Sequence, residues 1–162
     1  MPEKAPSAVP QGLRSLTPQL WFNGHCADAL DFYERAFGAQ LVGNVARGPE
    51  DLGVMHAMLR IGDSCFMLAD AMPGGPEYGP EDTVSSGLWL YGEDCDSTFS
   101  RAATAGAEVV QPLQDMFWGD RMGKLRDPFG HLWTIATCRY LVGEAELKKG
   151  MDEWVEAMKQ EV

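Results

Sequence analysis

The side chains best suited to acid–base chemistry or metal binding are few in this chain. It has three histidines, His25, His56 and His131, and none has a spacing to serine or cysteine that predicts a nucleophilic pair. His56 lies in an alternating segment, VMHAMLRIG, that is typical of a strand. Because imidazole titrates near neutrality, His56 is the candidate general acid or base. The alternative, favoured because no partner acid is recognisable, is a pocket histidine that hydrogen-bonds a ligand or Gln19.

The four cysteines give no sign of a metal site or a disulfide framework. Cys26, Cys65, Cys95 and Cys138 form no C-x-x-C pair, and their spacing matches no zinc motif. We therefore expect reduced thiols in or near the core. The segment MPEKAPSAVPQG lacks the apolar run of a secretory signal, so the prediction is a cytoplasmic protein.

The composition is that of a folded, acidic protein. The chain has 162 residues, 45% of them hydrophobic, with 24 acidic against 13 basic side chains and a formal net charge of −11. Such a surface repels phosphate backbones and anionic membranes, so neither nucleic acid nor a membrane is an expected partner. No apolar run approaches the roughly 18 residues of a membrane span. The length fits one ordinary domain or two small modules that share a core.

The order of predicted elements occurs twice along the chain. Each half reads as a strand, a helix and three further strands, which indicates an internal repeat. Gly38-Ala39 in the first half recurs as Gly106-Ala107 in the second, and Asp28 matches Asp96. The predicted elements are strands at 16–22, 39–47, 54–62 and 64–70, a helix within 23–38, strands at 87–94, 120–127 and 131–140, and a helix followed by a strand within 95–110.

The ends of the chain lie outside this repeat. Leu147, Met151, Trp154, Val155 and Met158 recur at helical spacing near the C-terminus, which predicts a docked or dimer-stabilising helix and hence a homodimer. The resulting organisation is a flexible leader at 1–15, modules at 16–71 and 83–140, a connector at 72–82 and a C-terminal helix at 141–162.

Several segments make the chain resemble a known superfamily. DFYERAFGA follows the first predicted strand, and RDPFGHLWTIAT closes the second half. With the doubled element order, they resemble the vicinal-oxygen-chelate superfamily, which includes glyoxalase I, extradiol dioxygenases and bleomycin-resistance proteins. The segments MHAMLRIGDSCFMLAD and DMFWGDRMGKLRDPFGH are most similar to its PhnB-like branch. Over residues 16–140 the resemblance implies an α+β fold of two βαβββ modules, whose mixed sheets curl into cups with the helices outside. It implies no single activity, because this scaffold hosts unrelated functions.

Within that implied fold, strand alternation divides the side chains between the helix-facing core and the cup. The side chains left for the cup are mainly aromatic, sulfur-containing or neutral polar: Gln19, Trp21, His56, Met58, Met67, Trp89, Tyr91, Met122 and Thr134, with Trp118 at the rim. Apolar walls with few polar groups are typical of a small-molecule pocket, and paired tryptophans favour flat or cationic aromatic ligands. The alternative is that these side chains only fill the curved sheet. Asp120 and Arg121 are expected to form a local ion pair rather than to clamp a ligand.

The resemblance also implies where a metal binds in relatives that use one. Those positions correspond here to Gln19, Met67, Gly87 and Thr134. None is charged, Gly87 has no side chain, and a thioether is a poor ligand for hard cations. His56 and Gln19 alone fall short of the three or four protein ligands of a zinc site. We therefore expect no cofactor, with a divalent metal on His56 and Gln19 as the weaker alternative.

These observations leave three functional hypotheses. The first is a PhnB-like protein that holds a small hydrophobic or aromatic molecule in its cup without chemistry. The second is a divalent-metal-dependent lyase, isomerase or dioxygenase that uses His56 and Gln19. The third, weaker hypothesis is a metal-free acid–base enzyme centred on His56. The sequence alone does not decide whether the protein is an enzyme, and it does not name the ligand.

Overall fold

The structure is a computed structural model that describes residues 1–49 and 52–160. It divides into two units, Met1–Thr83 (unit 1) and Val84–Val162 (unit 2). Each unit has its own sheet, in which one strand pair is parallel and the others are antiparallel, and its own packed helix. The predicted α+β class is confirmed.

Unit 1 contains one helix and a sheet built around the hairpin of its last two strands. Its elements are β1 (Gln19–Phe22), α1 (Cys26–Phe37), β2 (Gln40–Leu41), β3 (Ala46–Arg47), β4 (Val54–Ile61) and β5 (Ser64–Asp70). The strand order is β1-β5-β4-β2, with β3 also paired to β4, and β1 runs parallel to β5.

Unit 2 repeats this topology and adds a C-terminal helix. Its elements are β6 (Gly87–Tyr91), α2 (Cys95–Ala105), β7 (Glu108–Asp115), β8 (Asp120–Arg126), β9 (Leu132–Cys138) and α3 (Glu144–Gln160). The order β6-β9-β8-β7 matches that of unit 1, and β6 runs parallel to β9 as β1 does to β5. The doubled element order of the sequence therefore corresponds to two similar sheets.

Helix α1 forms because its apolar side chains recur on one face. Phe32, Tyr33 and Phe37 on that face are at most 6% exposed, and their ring centroids lie 5.6–6.3 Å apart. The helix ends at Gly38, whose left-handed conformation (φ 67°) suits glycine. Burial of three aromatic rings, each worth roughly 1.5–3 kcal/mol, makes this face the main attachment of the helix to its sheet.

Both helices begin at a cysteine whose backbone N–H is held by a side chain of the last strand. In unit 1, Asp70 Oδ1 accepts from the Cys26 N–H at 3.0 Å, and Oδ2 accepts from the Val54 N–H at 2.9 Å. In unit 2, Thr137 Oγ1 accepts from the Cys95 N–H at 3.0 Å. Cys26 and Cys95 are therefore equivalent positions, and so are Asp70 and Thr137.

This equivalence corrects the alignment of the first strands. The sequence alignment through the DFY and DPFG segments placed Gly87 at the position equivalent to Gln19. In the structure Gln19 lies opposite Met67 and Trp89 lies opposite Thr134. Because Met67 and Thr134 stand three residues before the capping side chains, the equivalent of Gln19 is Trp89. By the same register the equivalent of Trp21 is Tyr91.

Several predicted strands are shorter or differently divided in the structure. The first strand begins at Gln19 rather than at residue 16, because Pro18, which has no N–H, lies just before it. The predicted strand 39–47 is two strands of two residues each. Strand β6 ends at Tyr91, whereas β7 continues through Pro112, which an edge strand tolerates.

All four cysteines are free thiols. Cys26 and Cys95 are buried and Cys65 is half-buried, as expected for core thiols, but Cys138 is exposed at the end of β9. Burial, reinforced by the charge of Asp70, raises the pKa of the Cys26 thiol to about 12, so this thiol stays protonated and unreactive.

The predicted C-terminal helix is present as α3, and it meets unit 2 through a glycine. A Cβ atom at Gly150 would lie 2.7 Å from Phe117, so the glycine permits close packing against that ring. Trp154 also approaches Phe117, with ring centroids 6.4 Å apart. The apolar side chains Met151, Trp154, Val155 and Met158 remain 39–49% exposed. A homodimer through this helix stays a prediction.

Candidate ligand-binding site

Burial separates the two faces of the unit 1 sheet. Phe22 and Phe66 point toward α1, where both rings contact Tyr33. The alternate side chains point away from the helix, and most of them are half-buried or exposed. They form what we call open face 1: Gln19, Trp21, His56, Met58, Arg60, Cys65 and Met67. The unit 1 residues predicted for the pocket thus all lie on one face.

The strand register shows which of these side chains are neighbours. Gln19 lies opposite Met67, which lies opposite Met58, so the three form one row across open face 1. His56 is two residues before Met58 on the same side of β4, roughly 7 Å away along the strand. Its half-buried ring makes no hydrogen bond to any residue the structure describes, Gln19 included. Among residues 1–49 and 52–160, therefore, no side chain is bonded to His56 in a way that would orient it for acid–base chemistry.

The N-terminal segment covers part of open face 1. Gln11, Gly12, Leu13 and Arg14 line a cleft of about 380 Å³ whose floor includes Met58, Arg60 and Cys65. The turn that holds this segment is closed by a hydrogen bond from the Leu13 N–H to the Pro10 carbonyl. Within the region predicted as a flexible leader, residues 11–14 therefore line a cleft on the sheet.

The unit 2 sheet has the same two faces. Gly123 lies against α2, since a Cβ there would be 2.6 Å from the Phe99 ring, and Leu125 on the same side is fully buried. The alternate side chains of β8, with their partners on β9 and β6, form what we call open face 2: Trp89, Tyr91, Asp120, Met122, Lys124 and Thr134. Trp89, Thr134 and Lys124 form one row, and Tyr91, Ala136 and Met122 form the next.

Aromatic rings dominate the accessible part of open face 2. Trp89 and Tyr91 are 48% and 54% exposed, and their rings stack with centroids 5.8 Å apart and planes at 26°. Met122 and Thr134 are buried, and the Gln111 amide lies 3.9 Å from the Met122 sulfur. The predicted pocket residues of unit 2 thus divide into exposed aromatic rings and buried side chains.

A buried carboxylate holds the aromatic side chains in place. Asp120 is only 6% exposed, and its Oδ2 accepts from the Tyr91 hydroxyl at 2.8 Å and from Trp118 Nε1 at 3.0 Å. Withdrawal of the hydroxyl from water and the hydrogen bond to Asp120 raise the pKa of Tyr91 to about 12. The phenol therefore remains a hydrogen-bond donor across the physiological pH range.

The expected ion pair between Asp120 and Arg121 is wrong. The two side chains point to opposite faces of β8, as neighbours on a strand must. Arg121 instead makes two hydrogen bonds to Asp96, of 2.9 and 2.7 Å, and a longer contact to Asp115. The hydrogen bond from Arg121 lowers the pKa of Asp96, and the same bond raises the pKa of Arg121. Sequence adjacency suggested the pair, but alternation forbids it.

The donor set does not fit a divalent metal. With the corrected alignment, the ligand positions of metal-binding relatives hold Gln19, Met67, Trp89 and Thr134, of which Trp89 offers no lone pair for coordination. Among residues 1–49 and 52–160, no three His, Cys, Asp or Glu side chains are grouped as a metal site requires. The side chains of open faces 1 and 2 can bind rings and hydrogen-bonding groups but do not supply an anionic metal cage.

The order and pairing of these elements match a recognised family. The model of the Glyoxalase/Bleomycin resistance protein/Dioxygenase superfamily matches residues 19–135, which include every strand of both sheets except the end of β9. The chain belongs to this superfamily. The resemblance inferred from DFYERAFGA and RDPFGHLWTIAT is thereby confirmed.

Relatives of this superfamily member cover most of its length. An uncharacterised Mycobacterium bovis protein, Mb0911c, is 38% identical over 149 residues, which are 89% of this chain and 91% of the relative. The crystal structure of TioX from Micromonospora sp. ML1 is similar with a TM-score of 0.59 and 31% identity, covering 76% of this chain and 97% of that one. A PhnB protein from Bacillus cereus shares the fold, with a TM-score of 0.61 and 21% identity, covering 76% and 99% of the two chains.

The described helices are too short or too polar to cross a membrane. This agrees with the absence of long apolar runs in the sequence. The cytoplasmic location stays a prediction.

Proposed function

We propose that this superfamily member binds a small, flat, largely apolar aromatic molecule, and that open face 2 provides the principal contact. One observation carries the proposal: Trp89 and Tyr91 present a stacked, half-exposed pair of rings on the sheet face that is not packed against α2. Contact between water and aromatic rings of this size is unfavourable. A flat ligand that covers the rings therefore gains hydrophobic free energy on binding.

Two aromatic side chains of unit 2, Tyr91 and Trp118, are held in place by the protein itself. The Tyr91 hydroxyl and the Trp118 indole nitrogen both donate to Asp120, so neither side chain can rotate without losing a hydrogen bond to a buried carboxylate. Side chains that are already held in place lose little conformational entropy on binding.

The proposal includes binding without a metal or other cofactor. Its support is the chemistry of the side chains, because an amide, a thioether, an indole ring and a hydroxyl occupy the four positions that hold the metal ligands in metal-dependent relatives. In this proposal His56 takes the role of a hydrogen-bonding group rather than a general base, since no described acid is hydrogen-bonded to it.

The test pairs two tryptophans of similar exposure. We expect saturating 1-naphthalenemethanol to quench tryptophan emission and to raise the melting temperature of the wild-type protein. Trp89→Ala should weaken this binding about tenfold, because one stacking partner is lost. The matched control is Trp154→Ala, since Trp154 on α3 is 45% exposed against 48% for Trp89 but lies outside open face 2. Equal loss in both variants, or no quench and no thermal shift in a wider set of neutral aromatics, would contradict the proposal.

A further inference from the structure

One oxygen of Asp120 is not engaged by the protein. Both hydrogen bonds to this side chain, from Tyr91 and Trp118, end on Oδ2. No other residue in the described part of the chain bonds to Oδ1. Every fully buried side-chain oxygen in that part has a partner, so Oδ1 must keep some accessible surface. Asp120 lies on open face 2 and is only 6% exposed, and its accessible oxygen is free of described protein partners.

No cation of the described chain neutralises this carboxylate. No Lys, Arg or His nitrogen in residues 1–49 or 52–160 lies within 4.0 Å of Asp120, although such pairs are present elsewhere in unit 2. Arg121 is on the opposite face of β8 and bonds to Asp96. Lys124 shares the face but stands four residues along the strand, roughly 13 Å away. The described partners of this carboxylate are two neutral donors, so a cationic ligand would supply the ionic partner that the described chain does not.

The surrounding rings favour a positive charge as well. The faces of Trp and Tyr rings carry negative partial charge and attract cations. Tyr91 and Trp118 both donate to Asp120 Oδ2, and the exposed Trp89 ring stacks on that of Tyr91. A carboxylate bonded to an exposed aromatic pair favours a ligand that combines an ammonium group with a flat ring, and disfavours one that carries a carboxylate.

We infer that open face 2 selects aromatic molecules that carry a positive charge, with a protonated amine bound at Asp120 Oδ1 and the flat body covering Trp89 and Tyr91. This inference rests on the proposed function and narrows its ligand class. It also assigns Asp120 as the specificity-determining residue of the site.

The first experiment needs only the wild-type protein and three probes of matched shape. Calorimetric titration at pH 7 compares 1-naphthylmethylamine, which is cationic, with neutral 1-naphthalenemethanol and anionic 1-naphthoate. We expect the amine to bind about tenfold more tightly than the alcohol, and the alcohol more tightly than the acid. An amine that binds no better than the alcohol overturns the inference and leaves the proposed function standing. Failure of all three probes to bind overturns both.

The second experiment removes the charge and keeps the hydrogen bonds. Asp120→Asn leaves a carbonyl oxygen that can accept from Tyr91 and Trp118, so the rings stay in place. We expect it to lose the tenfold preference for the amine and to bind the alcohol within about threefold of wild type. Asp31→Asn, an exposed carboxylate on α1, removes the same net charge from unit 1 and should change neither affinity. A preference that survives in Asp120→Asn, or is lost equally in Asp31→Asn, overturns the assignment. Should Asp120→Asn fail to fold, the order of the three probes on wild type decides the question.

Discussion

Open faces 1 and 2 occupy the same place in two similar sheets, yet their side chains differ almost completely. The row Gln19, Met67 and Met58 in unit 1 corresponds to the row Trp89, Thr134 and Lys124 in unit 2. The hydrogen-bonded ladders are equivalent, whereas an amide and two thioethers are replaced by an indole, a hydroxyl and an ammonium group. The topology fixes where a ligand-binding face lies and leaves its chemistry to the side chains.

The two faces also differ in how their side chains are held. On open face 2, Asp120 fixes two aromatic residues through hydrogen bonds. On open face 1 the bonded polar pair is Arg60 with Gln40, at 2.8 Å, and His56 takes no part in it. Rigid rings suit selective stacking, whereas thioethers beside a cleft suit adaptable contact. The comparison therefore favours unit 2 as the selective site.

The largest expected effect tests the equivalence of the two helix caps. Asp70→Ala removes a buried carboxylate and leaves the Cys26 and Val54 amides without acceptors, which should lower the free energy of unfolding by about 3–5 kcal/mol. Thr137→Val removes a neutral acceptor and should cost about 1 kcal/mol. Urea unfolding followed by circular dichroism measures both. Equal losses of stability in the two variants would show that the charge and burial of the capping side chain do not determine its contribution.

A smaller effect tests α3, the helix that unit 2 has in addition to the elements of unit 1. Helix propensity alone predicts that Gly150→Ala stabilises α3 by about 1 kcal/mol. The structure predicts the reverse, a loss of about 1–3 kcal/mol, because the new methyl group would overlap the Cβ of Phe117. Thermal unfolding shows directly whether Gly150→Ala raises or lowers the stability of the protein. Gly143→Ala, where a Cβ meets nothing within 4 Å, is the control and should not lose stability by this mechanism.

The smallest effect is confined to alkaline pH and to unit 2. The pKa of Tyr91 is about 12 in the folded protein against about 10 in an unfolded chain. The folded state therefore holds this proton more tightly, and the stabilisation is complete below pH 10 and is lost as the pH rises toward 12. Tyr91→Phe should remove this part of the loss of folding stability at alkaline pH. The equivalent residue in unit 1, Trp21, does not titrate. Trp21→Phe should therefore leave the dependence of the free energy of unfolding on pH above pH 10 as it is in wild type.

The sequence predicted the helix-packed and open faces because alternation is a local property of strands. Leu59 and Met58 could be assigned to opposite faces from the pattern alone, and the structure agrees. The order of elements was readable for the same reason, since glycine turns and apolar periodicity are short-range signals.

The role of Asp120 could not be predicted in this way. Its partners come from β6 and from the turn before β8, and the order β6-β9-β8 that brings Tyr91 to Asp120 is a long-range pairing. The pairing of Gln19 with Gly87 failed for a related reason. It relied on helix residues that look alike, whereas the ladder and the caps define equivalence. The signal available in the sequence was alternation within β8, which separates Asp120 from Arg121.

The division between a packed face and an open face has a consequence for how this protein can change over evolution. Stability is carried by the ladders, the caps and the helix-packed side chains. The exposed open-face side chains take no part in them, so substitutions at those positions should cost little folding free energy, typically within about 0.5 kcal/mol. Selection can therefore alter what one half recognises without endangering the fold, while the other half keeps its own specificity. Two copies of one module allow a lineage to explore new ligands on one face and retain an old one on the other.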